Sequence, residues 1–184
     1  MSLTPSNMLP LNTVAPDFKL VNTINNTLLS LQDCKGIHGT VIMFICNHCP
    51  FVIHVNEALV AISNHYQEKS INFIGISSND VESYPQDAPD KMKLHAHNNN
   101  YSFPYLYDKT QDIAKAYDAA CTPDLYVFDS NLKLKYRGQL DNSRPGNSIT
   151  VTGNDLRHAL ECLLHNKENT RPQKPSIGCN IKWK

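Results

Sequence analysis

The sequence predicts an α/β fold in which a mixed central sheet is flanked by helices. Apolar, β-branched runs at residues 40–45 and 71–77 are typical of strands buried on both faces. Between them, apolar residues recur every three or four positions across residues 52–66, which predicts a helix of about five turns. Because a helix connects the two buried strands, the strands are expected to pair in parallel.

The N-terminal part predicts a hairpin placed before this central unit. Residues 1–16 contain proline and asparagine and are expected to form an irregular segment. Residues 17–21 alternate with the period of a strand, and a turn at Asn25-Asn26 leads into residues 27–31. The elements expected after the second buried strand are a weaker helix at residues 90–98, a short strand at 105–107 and a helix at 111–117.

The C-terminal part predicts a second hairpin, a helix and a docking tail. Residues 125–129 and 132–137 are too close together for any connection except an antiparallel turn. A helix is expected at residues 154–165. Residues 166–184 end in an alternating apolar pattern that must dock to hide its side chains. The length of 184 residues predicts a single domain over residues 1–184.

Composition excludes several classes of protein. Seventeen basic residues balance seventeen acidic ones, which argues against binding nucleic acid or an anionic membrane through bulk charge. The start of the chain has no pattern typical of a signal peptide, and the apolar run at residues 41–46 is too short to span a bilayer. We therefore predict a cytoplasmic protein, while secretion of a mature form stays open.

The six cysteines are the main chemical signal. A chain of this size needs no disulfide framework, so thiol or metal chemistry is expected in a reducing compartment. Cys46-Asn47-His48-Cys49-Pro50 stands where a buried strand turns into a helix. The N–H groups of a helix N-terminus favour a thiolate, and a protonated His48 would add positive charge. Pro50 must lie in the first helical turn.

Two other interpretations of this motif are weighed against a redox pair. Both cysteines can be small apolar residues that fill the end of a strand. Cys46, His48 and Cys49 can also bind zinc or copper if a distant cysteine or histidine completes the site. A second ligand pair with its own short spacing is missing from the sequence, so we predict a redox pair with no metal and no cofactor.

Several segments carry a family resemblance. Ala15-Pro16-Asp17-Phe18, the motif at residues 46–50 and Cys121-Thr122-Pro123-Asp124 resemble the thioredoxin-fold superfamily. More narrowly, they are similar to the peroxiredoxin-like family grouped with alkyl hydroperoxide reductase and thiol-specific antioxidant proteins. Further similar segments are Ser78-Asn79-Asp80, Tyr136-Arg137-Gly138, and residues 141–146, 151–153 and 175–184. The resemblance implies a thioredoxin fold with an N-terminal β-hairpin extension.

The resemblance also implies roles for individual residues. Cys46 would be the exposed attacking thiol and Cys49 the resolving thiol of a disulfide-exchange reaction. Thr122 and Pro123 would form a cis-proline loop that faces the disulfide. The exposed backbone of Thr122 would then pair with an extended substrate chain.

Three departures from the family pattern limit this comparison. Ile45 and Asn47-His48 replace the tryptophan and the Gly-Pro of thioredoxins, and the histidine is similar to more oxidising isomerases. No acid precedes the motif in its strand, so the base is missing or is replaced by His48, His54 or water. If Cys49 were a peroxidatic cysteine, Cys46 would occupy the position of a required threonine, which disfavours a peroxidase.

The remaining thiols have open roles. Cys121 is either an extra resolving thiol or a core residue. Cys179 either belongs to an apolar latch or lies within reach of another thiol. Cys34 and Cys162 are predicted to have no part in the chemistry.

These observations predict a thiol-disulfide oxidoreductase in which Cys46 and Cys49 exchange disulfides with protein or low-molecular-weight thiols. An unidentified electron donor is required, and no nucleic acid or membrane partner is expected. The alternatives are a peroxiredoxin-like peroxide reductase, and a metal-binding or redox-inert module on the same fold.

Overall fold

The computed structural model describes residues 3–184. Its strands, in chain order, are β1 (Leu3–Pro5), β2 (Lys19–Asn22), β3 (Thr27–Ser30), β4 (Gly39–Phe44), β5 (Ile71–Ser77), β6 (Tyr105–Tyr107), β7 (Cys121–Thr122), β8 (Asp124–Asp129), β9 (Leu134–Gly138) and β10 (Ile177–Asn180). The helices are α1 (Leu31–Cys34), α2 (Pro50–Gln67), α3 (Pro89–Asn98), α4 (Asp112–Ala116) and α5 (Asn154–Leu164), with a 3-10 turn at Pro85–Asp87.

The main sheet has seven strands in the order β3-β2-β6-β5-β4-β8-β9. β4, β5 and β6 are parallel, whereas the other neighbours pair antiparallel. The predicted mixed sheet is therefore confirmed, and the N-terminal hairpin of β2 and β3 forms one edge of it. A smaller sheet has the order β1-β10-β7.

β4 forms the centre of the core because both of its faces are covered. Val41 and Met43 point into a cluster that contains the buried residues of α2, α3 and α5. Ile42 and Phe44 point into a second cluster with α1 and the residues around α4. This two-sided burial explains why the segment is a continuous apolar run instead of an alternating one.

The strand directions bring three connecting segments to one edge of the sheet. β4 and β5 are parallel, so the loops that leave them begin on the same side. β8 runs antiparallel to β4, with Asp124 opposite Phe44, so the segment that enters β8 also lies there. The Cys46–Cys49 motif, the loop after β5 and the Thr122-Pro123 pair therefore meet in space.

The segments near the two termini are more ordered than the pattern predicts. Residues 1 and 2 of the irregular segment expected at residues 1–16 lie outside the described residues, and the rest of that segment contains β1, which pairs with β10. The tail docks as predicted, and Cys179 and Ile181 are buried, but Ile177 and Trp183, which were also expected to be hidden, remain 37% and 43% exposed. Alternation therefore indicated the inward side chains only in part, because the surface that receives the tail is formed by distant strands. Across residues 3–184, no helix is both long and apolar enough to cross a membrane.

Candidate functional site

The two cysteines of the motif lie in the loop from β4 to α2. Cys49 is the N-cap residue of α2 and Pro50 is its first residue, as the sequence predicts. Proline is tolerated there because an N–H in the first turn has no partner within the helix. Both thiols are buried, with 2% of Cys46 and none of Cys49 exposed. The expectation that Cys46 is exposed is therefore wrong, since the residue packs into the core beside Thr122.

Thr122 lies against both sulfurs. Its Oγ1 is 3.5 Å from Cys46 Sγ, and its carbonyl oxygen is 3.2 Å from Cys49 Sγ. The Thr122–Pro123 peptide bond is cis, as the resemblance implies. The backbone of Thr122 is not open to a substrate chain, because it pairs with Cys179 of β10. The prediction of an exposed pairing edge is wrong for this reason.

His48 and Asp87 form a pair beside Cys46 that the sequence analysis did not find. His48 Nδ1 is 2.7 Å from Asp87 Oδ2. Asp87 is fully buried and accepts hydrogen bonds from the Asn47 N–H (2.9 Å) and from Asn79 Nδ2 (2.7 Å). The buried acid that β4 lacks is therefore supplied by the segment after β5. The sequence signal that could have indicated Asp87 is the polar segment that follows β5, because β5 is the parallel neighbour of β4.

The C-terminal tail also holds this pair in place. The ring of His48 stacks on Tyr84 with centroids 5.6 Å apart and an angle of 8° between planes. The Lys182 N–H donates to Asn79 Oδ1 at 2.9 Å, and Lys182 Nζ lies 5.6 Å from the centre of the Tyr84 ring. The loop that carries Asp87 is consequently fastened to the tail.

The two thiols of the motif differ in their affinity for a proton. The pKa of Cys49 is lowered to about 4, mainly because the Cys46 thiol donates a hydrogen bond to its sulfur. The pKa of Cys49 is lowered further by the side chains of Cys179 and Thr122 and by the Val52 N–H, whereas burial raises it. The Thr122 carbonyl oxygen accepts a hydrogen bond only from a protonated Cys49, so this contact also favours the thiol over the thiolate.

Cys46 is shifted in the opposite direction. Its hydrogen bond to Cys49, its burial and the charge of Asp87 all raise its pKa well above the usual value. One proton is therefore shared by the pair and stays on Cys46, while the negative charge lies on Cys49.

This charge distribution predicts a thiolate that persists in mild acid. We expect the ultraviolet absorbance of a thiolate in the reduced protein at neutral pH, lost as the pH falls through about 4. Cys46→Ala should move the midpoint upward, because the main hydrogen-bond donor is removed. Cys34→Ala is the control, since the pKa of Cys34 is raised to about 11. Absorbance that appears only near pH ~8.5, the value of an ordinary cysteine, would contradict the assignment.

Cys179 joins the site, whereas Cys121 does not take a direct part in it. The Cys179 thiol hydrogen-bonds the sulfur of Cys49, and both residues lie in the same buried cluster. Cys121 is fully buried and its thiol donates to the Pro123 carbonyl oxygen at 3.6 Å. Burial is the main reason that the pKa of Cys121 is raised. These contacts favour a core-filling role for Cys121.

The other candidate residues lie elsewhere. Cys34 is buried in α1, and Cys162 Sγ is 3.5 Å from His158 Nε2 on α5. His54, considered above as a base, places Nε2 2.7 Å from Ser143 Oγ.

Within residues 3–184, one group of side chains could hold a metal ion. One ligand atom from each of Cys46, His48 and Asp87 lies within 4.8 Å of the other two. Sulfur, nitrogen and carboxylate oxygen together suit zinc. Asp87 thus takes the place that the sequence analysis gave to Cys49. Both oxygens of Asp87 already accept hydrogen bonds from Asn47 and Asn79. The same arrangement therefore also fits a carboxylate that orients His48 without any metal ion.

The fold and the paired thiols at the start of α2, facing a cis-proline, define a protein of the thioredoxin-fold class. The resemblance is supported by the thioredoxin domain of a thiol-disulfide oxidoreductase from Bacteroides vulgatus, which is 18% identical with a TM-score of 0.59. That comparison covers 71% of this chain and 89% of the other, and it bears on the fold alone.

A model of the AhpC/TSA family matches residues 11–137, and the chain belongs to this family. Thiol redox chemistry is therefore its general function. An uncharacterized conserved protein from Geobacillus kaustophilus is 56% identical over 100% of this chain and 97% of its own, with a TM-score of 0.98. A hypothetical protein from Sinorhizobium meliloti 1021 is 41% identical over 98% of each chain, with a TM-score of 0.96. No curated protein matches the chain.

Proposed function

We propose that this chain is a thiol-disulfide oxidoreductase whose redox pair is Cys46 and Cys49. The observation that carries the proposal is the position of both buried thiols at the start of α2, where each of them contacts Thr122. Two cysteines three residues apart at a helix start can close a small disulfide, and the electrostatic coupling of the two thiols supports this pairing.

The reaction begins with attack by Cys46 on a disulfide of the substrate. A bond forms between Cys46 Sγ and one substrate sulfur, and the other substrate sulfur leaves as a thiolate that takes up a proton. Cys49 then attacks Cys46 Sγ and displaces the remaining substrate thiolate. The substrate gains two electrons and the pair becomes a disulfide, which a dithiol electron donor must reduce before the next turnover.

His48 and Asp87 account for the proton that Cys46 must lose. The raised pKa of Cys46 means that its thiol is protonated at rest. A ring nitrogen of His48 lies within 4.8 Å of Cys46 Sγ, a separation at which one intervening water or a small approach of the side chains would transfer this proton. The neighbouring Asp87 stabilises the resulting imidazolium at a separation of 2.7 Å. Cys49 carries the negative charge in the resting pair, and after Cys46 has bound the substrate the Cys179 and Thr122 side chains and the Val52 N–H still lower its pKa, so β4 needs no buried acid.

Insulin reduction with dithiothreitol as electron donor tests the proposal. We expect activity in the wild-type protein and a loss on the order of 10³-fold or more in both Cys46→Ser and Cys49→Ser, because each removes a covalent participant. Cys34→Ser replaces a buried cysteine outside the site and serves as the matched control. Wild-type activity that survives in Cys46→Ser would contradict the proposed pair.

Trapping the mixed disulfide tests the order of attack. In Cys49→Ser the resolving thiol is missing, so a substrate should remain attached to Cys46 and be found by peptide mass spectrometry. Accumulation of the adduct on Cys49 in Cys46→Ser, with none in Cys49→Ser, would reverse the two roles.

A peroxide reductase is the second candidate function. It is favoured by the low pKa of Cys49, which lies at the start of α2 immediately before Pro50. In that case Cys49 would attack hydrogen peroxide, release water and become a sulfenic acid, which a second thiol would convert to a disulfide. Peroxide consumption that persists in Cys46→Ser, with insulin reduction absent in the wild type, would support this function over disulfide exchange.

The substrates are proposed to be protein or low-molecular-weight disulfides, with an unidentified electron donor. A cytoplasmic location remains a prediction.

A further inference from the structure

The C-terminal strand β10 occupies the edge at which a substrate strand was expected. Cys179 and Asn180 pair antiparallel with Thr122 and Cys121. The two backbones approach each other so closely that a Cβ atom added at Gly178 would lie 1.9 Å from the Thr122 carbonyl oxygen. A segment of the chain itself is therefore held against the cis-proline loop in an extended conformation.

This strand pairing places a third thiol, that of Cys179, beside the Cys46–Cys49 pair. Cys179 is 2% exposed and shares a buried cluster with Cys46 and Cys49. Its thiol hydrogen-bonds the sulfur of Cys49. Cys49 is consequently flanked by two thiols, one from its own motif and one from β10.

We propose that Cys179 is a redox thiol that receives the disulfide from the Cys46–Cys49 pair. The inference rests on the proposed function, because it requires that pair to become oxidised by a substrate disulfide. It gives β10 a chemical role in addition to its structural role as a cover for Thr122.

The exchange step is balanced within the chain. Cys179 loses its proton and its sulfur attacks Cys49 Sγ, forming the Cys49–Cys179 bond while the Cys46–Cys49 bond breaks. Cys46 leaves as a thiolate and takes up a proton. No external oxidant is consumed in this step, because two electrons have already passed to the substrate disulfide. Cys46 becomes available for a second attack, and the disulfide now joins Cys49 to Cys179 in the C-terminal tail.

Lys182 supports the step from the same segment. Burial and the neighbouring Cys49 raise the pKa of Cys179 to about 12, whereas the charge of Lys182 opposes this rise. Once Cys49 is bound in a disulfide, its negative charge is removed. The contribution of Cys49 to the raised pKa is then lost, which favours the Cys179 thiolate at the moment when it is needed.

A time course of disulfide formation in the full-length protein tests the relay. Reduced protein is mixed with a limiting amount of oxidised glutathione, quenched with acid at intervals, alkylated, digested and mapped by mass spectrometry. We expect the peptide linked through Cys46 and Cys49 first, followed by the peptide linked through Cys49 and Cys179. Cys179→Ser should stop at the first peptide, whereas Cys121→Ser, a neighbouring buried cysteine of β7, should show both.

The possible failures can be told apart. A wild-type protein in which the Cys46–Cys49 disulfide forms and persists without any Cys49–Cys179 peptide overturns the relay and leaves the proposed function intact. A wild-type protein that never forms the Cys46–Cys49 disulfide overturns both. Because the decisive comparison is made in the wild type, it does not depend on the folding of a variant.

Discussion

Replacing Arg137 by alanine is expected to destabilise the protein by about 3–5 kcal/mol, the cost of leaving one member of a buried ion pair without its partner. Arg137 is fully buried. Its Nη2 atom is 3.0 Å from Asp124 Oδ2 and 2.7 Å from the Asp118 carbonyl oxygen, and its guanidinium lies over the ring of Tyr126 at 4.5 Å. The variant therefore loses a charge, a backbone hydrogen bond and a stacking contact together.

The pH dependence of this loss follows from Asp124. Burial raises the pKa of Asp124, and Arg137 opposes that rise. Without Arg137 the pKa of Asp124 rises further above its unfolded value. Stability is then lost as the pH rises through the folded pKa, so the destabilisation should be larger at neutral pH than in acid.

Urea denaturation at two pH values measures this effect. Lys91→Ala removes an exposed ion pair with Asp90 and should change stability by less than about 1 kcal/mol. An Arg137→Ala variant as stable as Lys91→Ala at neutral pH would show that the buried pair contributes little.

Gly178→Ala is expected to detach β10 or to cost about 3 kcal/mol, the upper end of the usual cost of overpacking. The added Cβ would lie 1.9 Å from the Thr122 carbonyl oxygen and 3.3 Å from the Pro123 nitrogen. These are backbone atoms and cannot turn aside as a flexible side chain would. Relief requires β10 to move away from β7, which also separates Cys179 from Cys49.

Limited proteolysis and urea denaturation measure this change. Detachment should expose residues 166–184 to cleavage well before the rest of the chain. Gly146→Ala is the matched control, because its added Cβ meets no atom within 4 Å and its φ of +85° causes only local strain. Equal cleavage and stability in the two variants would show that the close approach at Gly178 is unimportant.

The elements with a strong local signal were predicted with little error. The helix expected at residues 52–66 is found as Pro50–Gln67, and the helix expected at 154–165 is found as Asn154–Leu164. Their periodic apolar residues determine which face is buried regardless of the partner. The short strands β1 and β7 were missed, because two or three residues carry no periodicity and pair only through β10.

The burial of the site had no local signal. The family resemblance implied an exposed thiol at Cys46, and no residue near the motif signals otherwise. Its burial depends on distant segments that pack around it, including Thr122 and the loop that carries Asp87. Such contacts are set by the register of the sheet and by the path of loops, and residue type near Cys46 does not encode them.

The sequence by itself determined where the paired cysteines stand, because a buried strand, a proline and a helical period define that junction locally. The six cysteines and the cis-proline segment likewise indicated the class of chemistry. Only the tertiary structure decided that Asp87 supports His48 and that Cys179 contacts Cys49. Both residues reach the site through long-range packing, since parallel β4 and β5 share an edge and β10 pairs with β7.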